Sequence, residues 1–430
     1  MRAVTVMLGI LAAGAAAALA GCASGGAGRR GDEAPGAAAL QSEARPYDMP
    51  YPLSEAPKDG DIIHIPTGLP VSFPGMMDVL DGARVVFVGE THDSVHAHRV
   101  QLEVIRELER RHPGGVVIGM EMFREPQQEA LDRWTRGELT EAEFLKASRW
   151  YSTWSSEYGY YRGILDFARE RGIDVVALNP SKELQQEVSK AGLDNLPPEV
   201  AARLPEIGPL DRWQRESLKA VFGAHLPTEG MLEAFLRVQS LWEETMAGRA
   251  AAYLAGERGA GKRMVVLAGG WHVRYGFGIP KKLFRRMSVP YAILLTQELS
   301  VPESKQDTLM DVDLPLIPLL PGDFVWLVEY EDLEGERPRM GVYLEEAEGK
   351  TLVEKLVEDT PAARAGLAAG DEFVSIDGLA IESAGDIQAA VRARKAGDTV
   401  TVVVRRDGVE QTFAVTLEKA PPPPKDHPRK

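Results

Sequence analysis

Four groups able to move protons or hold a cation follow short apolar runs in this 430-residue chain: Glu90 and His92 in VGETHD, Glu121 in GMEMF, and His272 in AGGWH. Asn179, in ALNP, stands in the same position after a further run, the fourth of the set. Two carboxylates, two imidazoles and an amide are what a general acid/base pair, a hydrolytic metal site or a cofactor pocket requires. Imidazole and carboxylate donors without thiolate suit Zn, Mn, Co or Fe. Each residue alone is more often a helix cap or a solvated turn residue; the repetition turns the balance towards function. The spacing is not His-Glu-x-x-His, so the metalloprotease helix does not apply.

The groups form one site only if their elements converge. Apolar runs of strand length lie at 85–88, 116–120, 175–178, 264–268 and 292–295, with a sixth at 324–328 and helical spacing between them. Strands alternating with helices predict an α/β fold, a largely parallel sheet with flanking helices and right-handed crossovers. The polar residues after parallel strands then share one sheet edge, where such folds bind ligands. Asp93 or Ser94 caps a helix from Val95, with Leu102, Ile105 and Leu108 as its buried stripe. His98 falls on the core side of that helix, while His96, four residues beyond His92, is left open as a ligand.

The stretch WYSTWSSEYGYY, residues 150–161, is dense in rings. Tyr151, Trp154 and Tyr158 suit a planar apolar ligand such as a porphyrin, and equally suit packing on the sheet. The helical stretch 231–254 reads as amphipathic, with Gln239, Glu243 and Glu244 on a polar face that could meet the pocket.

Composition narrows the function classes. Acidic side chains outnumber basic ones, 64 to 49, and Lys281-Lys282 and Arg285-Arg286 read as short surface clusters, which argues against a nucleic-acid partner. Cys22 is the only cysteine, so the chain has no internal disulfide, no thiolate cluster and no Cys-x-x-Cys-His haem attachment. An apolar run after Arg2 ends in Leu19-Ala20-Gly21-Cys22, which resembles a bacterial lipobox. That resemblance implies a signal peptide over 1–22, a lipid on Cys22 and a membrane anchor. With Ala23-Ser24 following, it implies the outer membrane of the cell envelope rather than the inner. Residues 23–58 read as a flexible tether.

Gly89-Glu90-Thr91-His92, Glu121 and Gly269-Gly270-Trp271-His272 occur in order with ALNP, QSLWEETMA from Gln239 and VRYGFGIP from Val273. Together they resemble the ChaN-like haem-binding lipoproteins of the Tiki/TraB/erythromycin-esterase superfamily, over residues 59–330. The resemblance implies haem binding for iron uptake, with Glu90, His92, His96, Tyr151, Trp154, Tyr158, Asn179 and His272 as the candidate pocket. The wider superfamily implies the alternative of a metal-dependent peptidase or esterase using Glu90, His92, Glu121 and His272.

After a Pro-rich connection and an acidic linker, RMGVY and VEDTPAARAGLAAGDEFVSIDG resemble a PDZ domain of the bacterial HtrA type, over 338–418, with a Pro-rich tail at 419–430. Such a domain leaves a strand edge open, on which an extended or C-terminal peptide adds as another strand. Met340, Gly341, Val342, Tyr343, Ile387 and Val391 are then the peptide-binding candidates. A PDZ fold also serves as a packing or homodimerising module.

Overall fold

In the computed structural model the described residues are 2–7 and 56–419, except 155, 194, 224, 225, 227, 301, 303–308, 334–336 and 348. The lipidation candidate Cys22, most of the leader, nearly all of the tether and the tail beyond Lys419 lie outside them. Arg2–Met7 pairs antiparallel with Leu309–Leu314 as a separate ribbon. Among the described residues no helix is long and apolar enough to cross a membrane.

The six apolar runs are six parallel strands: β3 (Val85–Glu90), β4 (Val116–Arg124), β5 (Asp174–Asn179), β6 (Arg263–Gly269), β7 (Tyr291–Glu298) and β8 (Phe324–Val328). Two short antiparallel strands, β1 (Ile62–His64) and β2 (Leu69–Val71), extend the sheet on the β8 side. The order is β2-β1-β8-β7-β3-β6-β4-β5. β3, β6, β4 and β5 are therefore consecutive neighbours, and these are the strands whose ends carry the candidate groups. The chain leaves β3 in one direction and, after β6, crosses to β7 on its other side. That reversal opens a crevice at the carboxyl edge.

Both sheet faces are covered, which explains why the strands read as continuous apolar runs. Val86, Val88, Ile118 and Met120 face one layer; Val85, Phe87, Val117 and Val266 face the other. The first layer holds α1 (Phe73–Leu80), α2 (Val95–Arg111), α3 (Gln128–Thr135), α4 (Glu141–Ala147), the single turn α5 (Trp150–Thr153) and α6 (Arg162–Arg171). In α2 the buried stripe runs through Ala97, Gln101, Val104, Ile105 and Leu108, whereas Leu102 is only partly covered.

The other side holds α7 (Lys182–Ala191), α8 (Arg212–Phe222), α9 (Glu229–Ala255), α10 (Gly270–Val273) and α11 (Ile279–Arg286). The expectation of an amphipathic α9 fails in its middle: every residue from Val238 to Ala247 is buried. The sheet lies on one side of this stretch, and α7, α8 and α11 pack around the rest.

The second domain is a five-strand antiparallel path, β10 (Val342–Ala347), β11 (Lys350–Leu356), β12 (Glu372–Ile376), β14 (Thr399–Arg406) and β15 (Val409–Thr416), with β13 (Leu379–Ala380) paired to β12. β9 (Pro338–Arg339) pairs with β16 (Glu418–Lys419) and closes its ends. The helix α12 (Ala384–Arg392) starts at Ser383, whose hydroxyl accepts from Asp386 N while the Asp386 carboxylate accepts from Ser383 N, a capping box. β10 is a terminal strand of the sheet, with one side unpaired.

Candidate functional site

Glu90 is the last residue of β3 and 5 % exposed, yet both its oxygens are occupied. Oε1 lies 2.7 Å from His92 Nδ1 and accepts from the Tyr161 hydroxyl at 2.8 Å. Oε2 accepts from Gln101 Nε2 at 2.6 Å and lies 3.2 Å from His98 Nδ1. Burial alone would raise this carboxyl, but the charge of His98 and the hydrogen bonds of both histidines outweigh it and hold Glu90 well below the usual carboxylate range. Gly89 permits this strand end: a Cβ there would lie 2.9 Å from Leu295 and Val273 side-chain atoms.

His92 is turned inward by its bond to Glu90. Its Nε2 faces Gly269, where a Cβ would stand 3.1 Å away, and the same position is 3.7 Å from Glu121 Oε2. Glu121 Oε2 accepts from Gly269 N at 2.7 Å, and Oε1 lies 3.4 Å from His272 Nε2. His92 and His272 thus approach Glu121 with their Nε2 sides, each ring anchored at Nδ1. Burial works against protonated His92, but the hydrogen bond and charge of Glu90, with the charge of Glu121, raise its pKa above the ordinary value.

On the far side His272 Nδ1 lies 3.0 Å from Gln239 Nε2 and 3.3 Å from Glu243 Oε1. Against desolvation, Glu121 and Glu243 push this imidazole up to about 10. Glu243 is fully buried; it accepts from Gln214 and Gln239 and pairs with Lys282 Nζ at 2.7 Å. Burial opposes its ionisation, but Lys282 and His272 bring its carboxyl down to about 2. The result is one buried row of alternating charge, from His98 and Glu90 through His92, Glu121 and His272 to Glu243 and Lys282.

Glu90, His92, Glu121 and His272 are therefore brought together as expected of a parallel sheet. Asn179 joins through the backbone, donating Nδ2 to Glu121 O at 2.7 Å, and its Oδ1 has no partner. Trp154 sets its ring edge-on to His92, with centroids 5.1 Å apart. His96 lies apart: its Nε2 pairs with Glu331 Oε2 at 2.9 Å at the surface. Tyr158 is buried in the core against Trp150 and Phe144, and Tyr151 is half-buried among the same aromatic residues. Among the described residues no three of His, Cys, Asp and Glu are arranged to hold a metal ion. Here carboxylates, imidazoles and amides satisfy one another.

Several members of the site carry little signal in the sequence. Tyr161 and Gln101 hold Glu90; Tyr161 closes the ring-rich stretch 150–161, and the signal for Gln101 is helical, since it lies on the α2 face of Ala97 and His98. Lys282 does not belong to the surface cluster that its basic neighbours suggest, but is 6 % exposed. Lys281 points out to Asp211, and the next residue, a hundred degrees further around α11, points in. Gln239 and Glu243 do meet the site, as their place on α9 allowed. Glu244 instead turns to Arg285 and Arg286.

In the second domain Met340, Ile387 and Val391 are buried in its core, Val342 is partly buried, and Tyr343 is 56 % exposed. Gly341 adopts a left-handed conformation, φ 88°, and a Cβ there would lie 2.3 Å from Thr360.

Fold and site define a three-layer α/β domain with a charge-lined carboxyl edge, joined to a small β domain with an open strand edge. Residues 76–283 match the family described as haem-binding uptake, Tiki superfamily, ChaN, and residues 338–417 match the PDZ domain. The chain thus carries a ChaN-family haem-binding domain followed by a PDZ domain. Among solved structures, a Campylobacter jejuni ChaN described as binding haem cofacially is 18 % identical, covering 64 % of this chain and 98 % of that one, with a TM-score of 0.48. A putative zinc metalloprotease of Mesorhizobium japonicum is 49 % identical over 65 residues, 15 % of this chain and 17 % of its own length. A probable DegP-like periplasmic serine endoprotease of a Marinomonas species is 40 % identical over 74 residues, 17 % of this chain and 16 % of its own. The chain spans about a sixth of the length of these two relatives.

Proposed function

We propose that the protein is an envelope lipoprotein that binds haem on its α/β domain for iron uptake and recruits a protein partner by its chain end through the PDZ domain. The observation that carries the haem reading is the family match over residues 76–283, which contains every member of the buried row from Glu90 to Lys282. The residues present suit the ligand. A porphyrin needs apolar ring faces beside it and a nitrogen or oxygen donor for iron. Trp154 sets a half-buried indole against His92, Trp242 sets its ring edge-on to His272, and His92 is tied at Nδ1 to a carboxylate, the arrangement that orients an iron-ligating imidazole. Bound haem would supply the iron cargo and a visible absorption band.

Anchoring by a lipid on Cys22, at the outer membrane, is supported by the lipobox-like end of the leader and the Ala23-Ser24 that follows it. Titrating haemin into the purified chain lacking residues 1–22 tests the haem reading. Saturable binding with a shifted Soret band is expected, and His92→Ala together with Trp154→Ala should weaken it at least about tenfold. Absence of a saturable shift, or one indifferent to both substitutions, overturns haem binding at this edge. Radiolabelled palmitate incorporation that disappears in Cys22→Ala tests the anchor.

A further inference from the structure

The helix beside the PDZ groove belongs to two cores at once. Ile387, Ala390 and Val391 of α12 are packed within the PDZ core. Ala389, 1 % exposed, belongs instead to the α/β domain's cluster with Trp150, and Ala393 packs against the same cluster beside Tyr151 and Trp154. Gly385, one turn before Ala389, completes this second face: a Cβ on it would lie 2.3 Å from Ser152 Oγ in α5. Charged contacts frame the junction. Lys146 donates to Ala380 O and pairs with Glu382, while Arg337 and Arg392 lie 3.2 and 3.6 Å from Glu157. The linker is tied down as well, Leu333 N donating to the Tyr160 hydroxyl at 2.9 Å.

The segment under α12 is the one that reaches the buried row. Trp154, the residue after α5, sets its ring against His92, and Tyr161 of the same stretch donates to Glu90. Across the groove, the Glu346 carboxylate at the end of β10 accepts from Ala384 N at the start of α12. A peptide added on β10 must part that bond and lodge its terminal side chain beside Ile387 and Val391, which are already close-packed. α12 has no space to yield without moving α5, because Gly385 abuts Ser152.

We propose that occupancy of the PDZ groove by a peptide with an apolar, free-carboxylate end and occupancy of the haem edge by haem are thermodynamically coupled through α12 and α5. This rests on the reading that the groove takes chain ends and the edge takes haem. Coupling of this kind is reciprocal, so each ligand changes the other's affinity by the same factor.

The experiment uses the whole chain after the leader. Fluorescein-labelled decapeptides ending in Val, Leu or Phe are titrated by anisotropy with and without saturating haemin, and haemin is titrated by absorbance with and without the tightest peptide. The expected result is a shift of about fivefold or more in both dissociation constants, equal within error. Gly385→Leu, which forces α12 off Ser152, and the milder Lys146→Ala should each keep both ligands bound while the factor falls towards one. Two bound ligands with unchanged constants overturn the coupling and leave the functional reading standing. A factor untouched by both variants overturns the α12 route. Absence of binding by any of the peptides, or by haemin, shows in its own titration and overturns the corresponding half of the functional reading along with the coupling.

Discussion

Glu90 and His272 illustrate how a buried row of charge converts into pH dependence. Glu90 has its folded pKa depressed, so its contribution is present above the ordinary value of 4.5 and disappears as the pH falls below it. His272 has its folded pKa raised, so its contribution is complete below the ordinary value of 6.5 and drains away as the pH climbs towards about 10. Stability of the α/β domain is therefore expected to peak between about pH 4.5 and 6.5 and to decline on the alkaline side. Urea midpoints measured across pH 6 to 10 check this, and His272→Gln should flatten the alkaline decline. A slope unchanged in that variant would show that His272 does not carry it. The convergence of Glu90, His92, Glu121 and His272 was legible in the chain because each follows an apolar run that could only be a strand. Lys282 was not legible: which of two adjacent lysines turns inward is decided by the rotation of α11 against Glu243, a tertiary fact.

Among the elements, the six parallel strands declared themselves through β-branched runs, but β1 and β2 did not. They are three residues each, and Leu69 is 61 % exposed, so they lack the apolar continuity that marks a buried strand. The buried middle of α9 was likewise hidden, since Gln239, Glu243 and Glu244 resemble a solvated face until their partners on α8 and α11 are in place. The end of β3, just before the turn into α2, is tightly specified. Gly89 is enclosed by Leu295 from β7 and Val273 from α10, so Gly89→Ala should cost about 1–3 kcal/mol through overpacking and displace Glu90. Chemical denaturation gives the first quantity. Loss of haemin binding out of proportion to the stability loss would report the second, whereas full haemin binding would place the strain elsewhere.

For the molecule as a whole, both domains were legible from their motifs, but their junction was not, because small residues such as Gly385 and Ala389 carry no signal of what they will face. A chain ending at Arg337 loses Ala389 from the α/β domain's cluster and uncovers Tyr151 and Trp154. Its melting temperature is expected to fall by at least about 2–4 °C, the equivalent of about 1 kcal/mol in a domain of this size. Calorimetry of the two chain lengths measures it, and identical transitions would mean that the PDZ domain adds nothing to its neighbour.

The margins of the two sheets differ in a way that bears on self-association. An uncovered sheet margin is a template for any passing extended chain. On the outer side of β5, Gln128 fills that role from within: its amide donates to Val175 O at 2.8 Å and accepts from Ala177 N at 2.9 Å, and Arg249 donates to Ala177 O. A glutamine side chain there imitates the next strand. At the opposite margin β2 is three residues long with Pro70 at its centre, which has no N–H to offer. Both ends of the large sheet are thus shut against intruders, whereas the small sheet ends in β10 and β15, and β10 is the margin on which the proposed peptide would add. Tyr343 is set on it in the open, so if β10 recruits a chain end as proposed, selective recruitment and accidental polymerisation would compete for the same few amides.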